Sequence, residues 1–349
     1  MSPERLLKPR EMGDAALPVA QHPATRAWRT LATEHVEPEH IEILQAWPGK
    51  SMIYRLARAG PSGADVIAKR CEVPVESTER SIYESILPSL PVSRLRYYGL
   101  ATDEDERFCW LFIEDAGEGK YSVDLEEHRL LAGQWLGVMN VSAAQLPSAA
   151  SLPDRGPGFY LQLLRRAQQT TREILTHPSV RRENPAALET ILTHCDALET
   201  RWDDVERCCD GIPRTLVHGD FAEQNARVQI GPAGTRLLVW DWDGAGWGIP
   251  AVDLAQFMGG SLSPNLRAYW SIVHSSWRGL RAAKVERLAE LGRMFRAVNA
   301  IVWANSGFSL RASRSSSRPT DSAEWYVEEM NWYERELADW LRAADKTNT

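Results

Sequence analysis

Residues 41–47 (IEILQAW) are apolar-rich, and residues 52–59 (MIYRLARA) alternate between apolar and polar positions. Pro48-Gly49-Lys50-Ser51 separates these runs, and Pro61-Ser62-Gly63 separates the second from residues 65–71 (DVIAKRC). Short runs divided by Pro/Gly turns predict three strands of an antiparallel meander. Residues 76–87 then read as a helix ending at Pro88. Residues 95–100 and 108–113 predict two more strands, joined by the acidic stretch 102–106. The chain up to Glu114 is therefore expected to hold five strands and one helix.

After Glu118 the pattern turns helical. Helices are expected over 123–146, 159–175 and from Asn184-Pro185 to about Cys209, where Gly211 follows. Residues 147–158 read as a Pro/Gly/Ser loop. Ser263-Pro264 is expected to open another helix, and Asp321 with Glu324 a last one over 325–344. Residues 309–322, rich in Ser and Arg, read as a loop. Between helical blocks, residues 215–243 interrupt with a short apolar strand (TLV), then HGDFAEQN, then a hairpin strand running into DWD.

Composition narrows the class without naming it. A chain of 349 residues is long enough for roughly two domains. Its net charge of −7 argues against a nucleic-acid binder, which needs a basic face. The odd count of five cysteines, with no C-x-x-C pair, points away from zinc and from a disulfide framework, and toward free thiols in a reducing cytoplasm. Neither a signal-like apolar segment nor an apolar run long enough to span a membrane is evident, so no membrane partner is expected. Ten of the fourteen tryptophans lie from Trp202 onward, so the second half is expected to have an aromatic-rich interior or an aromatic-lined cleft.

The chemistry concentrates in the interruption. His218-Gly219-Asp220 is followed by Asn225 in a D-x-x-x-x-N spacing, and Asp241 ends the apolar run LLVW. Phosphoryl transfer needs a carboxylate that orients the attacking hydroxyl, oxygen ligands for magnesium and a cation on the remaining phosphates. Asp220 suits the first role, and Asn225 with Asp241 the second. Lys69, in the VIAK strand, suits the third, and Glu79 is placed to pair with it, with Glu84 a rival on the same helix.

These residues resemble the aminoglycoside phosphotransferase and choline kinase-like family of small-molecule kinases. The resemblance rests on HGD-x-x-x-x-N, the following apolar strand with DWD, and Gly248-Ile249-Pro250-Ala251-Val252-Asp253-Leu254-Ala255. It extends back through Glu79 to Tyr83, similar to the family's E-x-x-x-Y helix, and through Glu114-Asp115, and covers roughly residues 41–256. It implies an α+β, bilobal protein-kinase-like fold. An N-terminal lobe over 1–116 would hold a five-stranded antiparallel sheet and one main helix. A larger, mostly helical C-terminal lobe over 117–349 would hold the catalytic loop and acceptor site. It further implies that Asp253 is structural, that the backbone at Glu114 and Ala116 meets the purine, and that Gly49 and Ser51 cover the phosphates.

Three departures stand out. The phosphate-covering turn has one glycine, where protein kinases have three. Gly49-Lys50-Ser51 mimics a P-loop ending, but residue 44 is leucine and a strand follows, which excludes that motif. Asn140 lies where the family often has a nearby histidine.

The expected activity is transfer of the γ-phosphoryl group of ATP (or GTP), with Mg2+, to a small-molecule hydroxyl. Glu223, Asp243, Trp242 and Trp247 are the candidate acceptor contacts. An antibiotic of the aminoglycoside kind or an aminated sugar is the expected acceptor. Alternatives are an amino alcohol or metabolite such as choline or homoserine, or a catalytically silent nucleotide-binding regulator. A protein substrate is disfavoured because Ala222 stands where a Ser/Thr kinase has lysine. A monomer or homodimer in the cytoplasm is expected.

Overall fold

The computed structural model describes residues 17–31, 36–47, 51–72, 78–103, 107–178, 180, 186–232, 234–312 and 323–347. The chain forms two compact units. The first comprises Met1–Tyr121 and the returning segment Asn225–Gly244, and the second Ser122–Gln224 and Ala245–Thr349.

In the first unit, helix α1 (Pro23–Arg29) starts with proline after His22, whose ring nitrogen accepts a hydrogen bond from Ala24 N at 3.1 Å. Strands β1 (Ile41–Trp47), β2 (Ser51–Leu56), β3 (Val66–Glu72), β4 (Tyr97–Thr102) and β5 (Phe108–Glu114) form one antiparallel sheet in the order β1-β2-β3-β5-β4. This is the expected five-stranded sheet. One face buries Tyr54, Leu56, Ala68, Trp110 and Phe112 against Trp28 and Ala24 of α1. Lys69 follows Ala68 and faces the other side, because side chains alternate along a strand. The register sets Lys69 opposite Ile53 on β2 and Leu111 on β5. Residues 78–81 wind helically and continue as a π turn, Ile82–Ile86. The returning segment forms a hairpin of β8 (Ala226–Gly231) and β9 (Gly234–Val239), anchored by Val228 N donating to Gly119 O at 2.7 Å.

The second unit is mostly helical. Helix α2 (Glu126–Ala143) precedes the stretch expected to be a plain loop. That stretch instead contains a 3-10 turn, Ala149–Ser151, and the short strand β6 (Asp154–Arg155). Helix α3 (Pro157–Leu175) begins with proline just after Gly156, two residues earlier than expected. The helix expected to run unbroken to Cys209 is divided into α4 (Ala186–Thr200) and α5 (Trp202–Cys209). Arg201 leaves helical geometry (φ −107°, ψ 22°) between them, which re-aims the chain so that Trp202, Val205 and Cys209 point inward. The Asn184-Pro185 start lies outside the described residues. Strand β7 (Thr215–Val217) pairs with β10 (Gly246–Gly248), which pairs with β6.

Helix α6 (Leu266–Ser276) is capped by Asn265, which accepts from Ala268 N at 2.9 Å, and not opened by Ser263-Pro264. Ser263 is engaged elsewhere: its hydroxyl accepts from Phe257 N at 2.6 Å. Helix α7 (Ala282–Ala312) is the long central element and packs on α3 and on α8 (Ala323–Thr347). It continues past Ser309 to Ala312, into the segment expected to be loop, whose remainder lies outside the described residues, as do Asp321 and the Trp325 side chain. In α8, Leu337 and Trp340 are buried and pack into the unit's interior. Among the described residues no helix is long and apolar enough to cross a membrane. All five cysteines are free thiols.

One close approach in this unit bears on the site. A Cβ added at Gly292 of α7 would lie 1.8 Å from Ala251 O and 3.2 Å from Val252 N. Backbone cannot give way as a flexible side chain does. Gly292→Ala is therefore expected to destabilise the chain by about 1–3 kcal/mol or more, read as a lower urea midpoint at unchanged m-value. Activity is expected to fall with it, because the displaced segment carries Asp253.

Candidate active site

The hairpin strand β9 buries Leu237, Leu238 and Val239 and then stops. Asp241 follows with φ 65°, a left-handed conformation that is unfavourable for most side chains but best tolerated by Asn and Asp after glycine. The 3-10 turn Trp242–Gly244 continues from it. This bend turns two carboxylates toward Lys69. The Lys69 ammonium donates to Glu79 Oε2 at 2.8 Å, to Asp241 Oδ1 at 2.7 Å and to Asp243 Oδ1 at 3.0 Å. An ammonium has three N–H donors, and here each has a carboxylate acceptor. The other oxygen of Glu79 accepts from Trp242 N at 3.2 Å, so Glu79 ties the helical segment 78–86 to the Asp241 turn. Glu84 takes no part: it bonds to Arg80 and to the Tyr97 hydroxyl.

The electrostatics follow from burial. The Lys69 side chain is 11% exposed and that of Glu79 1%. Burial opposes the lysine's charge, but the three carboxylates outweigh it and hold its pKa well above the ordinary value. Burial pushes Glu79 upward, Lys69 opposes this, and the Asp243 and Asp241 charges add to the rise. One ammonium against three carboxylates leaves a formal charge of +1 − 3 = −2. Glu79, Asp241 and Asp243 also offer oxygens that all lie within 4.8 Å of one another. An excess of negative charge on hard oxygen donors is the setting that a divalent cation such as magnesium fits. Asn225 is buried, and its carbonyl accepts from Trp240 N at 3.1 Å, so the backbone places it beside the residue before Asp241.

The second unit holds Asp220. Buried Asp253 accepts from His218 N at 2.7 Å and from Gly219 N at 3.0 Å. Burial pushes its carboxyl upward, and the two backbone N–H groups and the Arg296 charge oppose that. The His218 ring is itself buried, and its Nδ1 accepts from Asp220 N at 3.2 Å. Gly219 has φ 82°, which favours glycine at the bend. On the far side of Asp220, the Phe221 ring stacks on Trp135, and Leu262 N donates to Phe221 O at 3.0 Å. The turn is thus clamped at both ends while the Asp220 side chain stays 46% exposed. Asn140 holds β7 in place before it: its amide donates to Leu216 O at 3.0 Å, and its side-chain oxygen accepts from the Tyr269 hydroxyl at 2.9 Å.

The other candidates divide. Ser51 begins β2 opposite Cys71, whereas Gly49 lies outside the described residues. Glu114 ends β5, and its carboxylate accepts from Arg96 N at 3.0 Å. Ala116 is nearly buried two residues on. Trp242 has no exposed surface, so its ring cannot stack on an acceptor; that expectation is corrected. The indole turns inward because the apolar run of β9 continues into it while Asp241 and Asp243 face Lys69. Asp243 accordingly belongs with the lysine cluster of the first unit. Trp247 is half-buried on β10, and Glu223 lies near Asp124, where burial and that second acid raise its carboxyl above the usual range. Sequence reasoning missed Arg296 of α7, whose Nη2 lies 3.3 Å from Asp220 Oδ1. Nothing in its surroundings along the chain marks it.

Residues 78–293 match the family model described as the phosphotransferase enzyme family. No curated protein sequence matches the chain. Among solved structures, the GDP and kanamycin complex of APH(2'')-IIIa is similar in fold, with TM-score 0.60 at 13% identity, over 90% of this chain and 98% of that one. Choline kinase from Cryptosporidium parvum Iowa II gives TM-score 0.54 at 10% identity, over 88% and 91%. An ethanolamine kinase from Plasmodium vivax gives 0.54 at 14%, over 88% and 84%. The bilobal protein-kinase-like α+β fold is common to them, and with the match over 78–293 it shows that this chain belongs to the phosphotransferase enzyme family, as a small-molecule kinase.

Proposed function

We propose that the chain moves the γ-phosphoryl group of ATP or GTP to a hydroxyl of an aminoglycoside-like antibiotic or an aminated sugar. The observation that carries this reading is the buried Lys69 held by Glu79 and by two acids 172 and 174 positions further along the chain. An ammonium so fixed is a preorganised cation for the α and β phosphates. Asp220 orients the acceptor hydroxyl and takes its proton as the new oxygen–phosphorus bond forms. The bond from Pγ to the bridging oxygen breaks, and the nucleoside diphosphate leaves. Asn225 and Asp241, with Asp243 beside them, would hold magnesium, which supplies neutralisation of phosphate charge. Positioning and charge neutralisation carry the rate, so no covalent enzyme intermediate is required. Glu114 and Ala116 present backbone to the purine.

Support for a nucleotide comes from the fold relatives, one solved with GDP and kanamycin and another with ADP. Glu223 and Asp124 give the acceptor side an acidic character that suits an amine-bearing molecule. The test is a panel of kanamycin, other aminoglycosides, glucosamine, choline, ethanolamine and homoserine with Mg·ATP or Mg·GTP. Product is read by mass spectrometry as a gain of one phosphoryl group. Phosphorylated aminoglycoside or amino sugar is the expected result. Phosphorylation of choline, ethanolamine or homoserine alone reassigns the acceptor, and nucleotide binding without any product replaces the reading with a silent regulator.

A further inference from the structure

The turn that carries Asp220 has no permanent cation of its own. Residues 218–225 read HGDFAEQN, with two carboxylates and neither lysine nor arginine. The cation that faces Asp220 comes instead from the middle of α7, at a separation of 76 residues. Arg296 Nη2 lies 3.3 Å from Asp220 Oδ1 and 3.4 Å from Gly259 O. Its side chain is 10% exposed, against 46% for Asp220. Arg296 Nη1 is buried and has no hydrogen-bond partner among the described residues.

Each of these facts constrains what the guanidinium does. Both Nη2 contacts are at the long end of hydrogen-bonding distance, and the other terminal nitrogen is spent on nothing. A buried donor without an acceptor is unfavourable, and a structural ion pair would be expected to use the fork fully. The helix beneath it is rigid. One turn earlier Gly292 abuts the Ala251 carbonyl, and the adjacent Phe295 ring stacks on Tyr160 at 3.8 Å. The fixed partner is therefore the arginine, and the half-exposed carboxylate is the part that adjusts.

We infer that Arg296 is a positioning residue for Asp220: it tethers the carboxylate to the Gly259 backbone, orients it toward the acceptor hydroxyl, and keeps a spare N–H to tighten that grip. This rests on the reading of Asp220 as the group that takes the hydroxyl proton. A loose phosphoryl-transfer transition state demands orientation more than base strength, so a neighbouring cation that aligns the acid is favourable even though it does not strengthen it as a base. Arginine suits the task because its rigid fork fixes direction as well as charge, which the point charge of lysine does not.

The test uses the full chain as wild type, R296Q, R296K and D220N, with R296Q also placed in the D220N background. Phosphate release from Mg·ATP, with water as acceptor, gives kcat and the KM for ATP, and thermal melting reports folding. R296Q is expected to lose about 10- to 100-fold in kcat, the scale of a misplaced catalytic group, with KM for ATP within about twofold. R296K is expected to recover part of that loss. In the D220N background R296Q is expected to change the rate by less than about twofold, because the two residues act as one unit. Wild-type kcat in R296Q, or an undiminished loss in the D220N background, overturns the inference. If R296Q fails to fold, R296K decides: a reduced kcat at unchanged KM supports the inference, and a wild-type kcat overturns it. Absence of phosphate release from wild type, with no product in the acceptor panel, overturns the phosphotransfer reading and this inference with it. A wild type that turns over beside an unaffected R296Q overturns the inference alone.

Discussion

Asp220→Asn is expected to lower kcat for phosphoryl transfer by about 10²- to 10⁴-fold, the contribution typical of a positioned proton acceptor. Asparagine keeps the size and shape of the side chain and an oxygen for Arg296, but it cannot take a proton at neutral pH. The residue is half-exposed, and its turn is held by other bonds: Asp253 to His218 N and Gly219 N, and Leu262 N to Phe221 O. The loss is therefore expected without a shift in melting temperature and with little change in nucleotide affinity measured by calorimetry. A variant that retains wild-type kcat would remove Asp220 from the mechanism. A variant that loses activity only by unfolding would make it structural.

Lys69→Met is expected to act on turnover and stability together. The phosphates lose their fixed cation, and kcat/KM for the nucleotide falls. Three acids lose their common partner, and for Glu79, 1% exposed, the loss leaves a buried charge unpaired. Breaking a buried pair from one side destabilises by about 3–5 kcal/mol unless the stranded group neutralises. Neutralisation is the expected escape. Burial already pushes Glu79 upward, and Lys69 is the cation that opposes it. A carboxyl whose folded pKa lies above its unfolded value holds a proton that the unfolded chain releases. Folding stability of the variant is then expected to fall as pH rises from the ordinary carboxylate range toward the raised value. Urea unfolding at a series of pH values from 5 upward measures this. Lys69→Met combined with Glu79→Gln is expected to recover much of the stability and none of the activity. A pH-independent loss in the single variant would show that Glu79 does not carry the effect.

Much of the first unit was legible because strand signals are local. Alternation and Pro/Gly turns marked the meander, and they placed Lys69 on its third strand without any knowledge of its partners. The choice between Glu79 and Glu84 was not legible. The helix changes to π spacing at Ile82–Ile86, which alters the phase that an ordinary 3.6-residue period assumes. Helix α7 escaped notice for a different reason. As the central helix of its unit it buries Leu291, Phe295 and Ile301 on one side and Val285, Ala289 and Ala304 on others, so no single apolar stripe stands out. Arg296 was hidden with it, since a charged residue in such a helix reads as a solvated position. Trp242 misled because its two acidic neighbours suggest exposure, whereas both acids turn to Lys69 and leave the indole in the interior.

The returning hairpin has a consequence for biogenesis. Asn225–Gly244 packs with the sheet unit but is encoded after a long stretch of the helical one. A nascent chain that has emerged only through Tyr121 carries Lys69 and Glu79 without Asp241 and Asp243. Domains generally fold as units during synthesis, N-terminal first. Here the ribosome must deliver residue 244 before the N-terminal sheet can acquire its last two acids. Until then the lysine has one carboxylate where the finished protein gives it three, and a sheet whose five strands are all encoded by Glu114 waits for acids made much later.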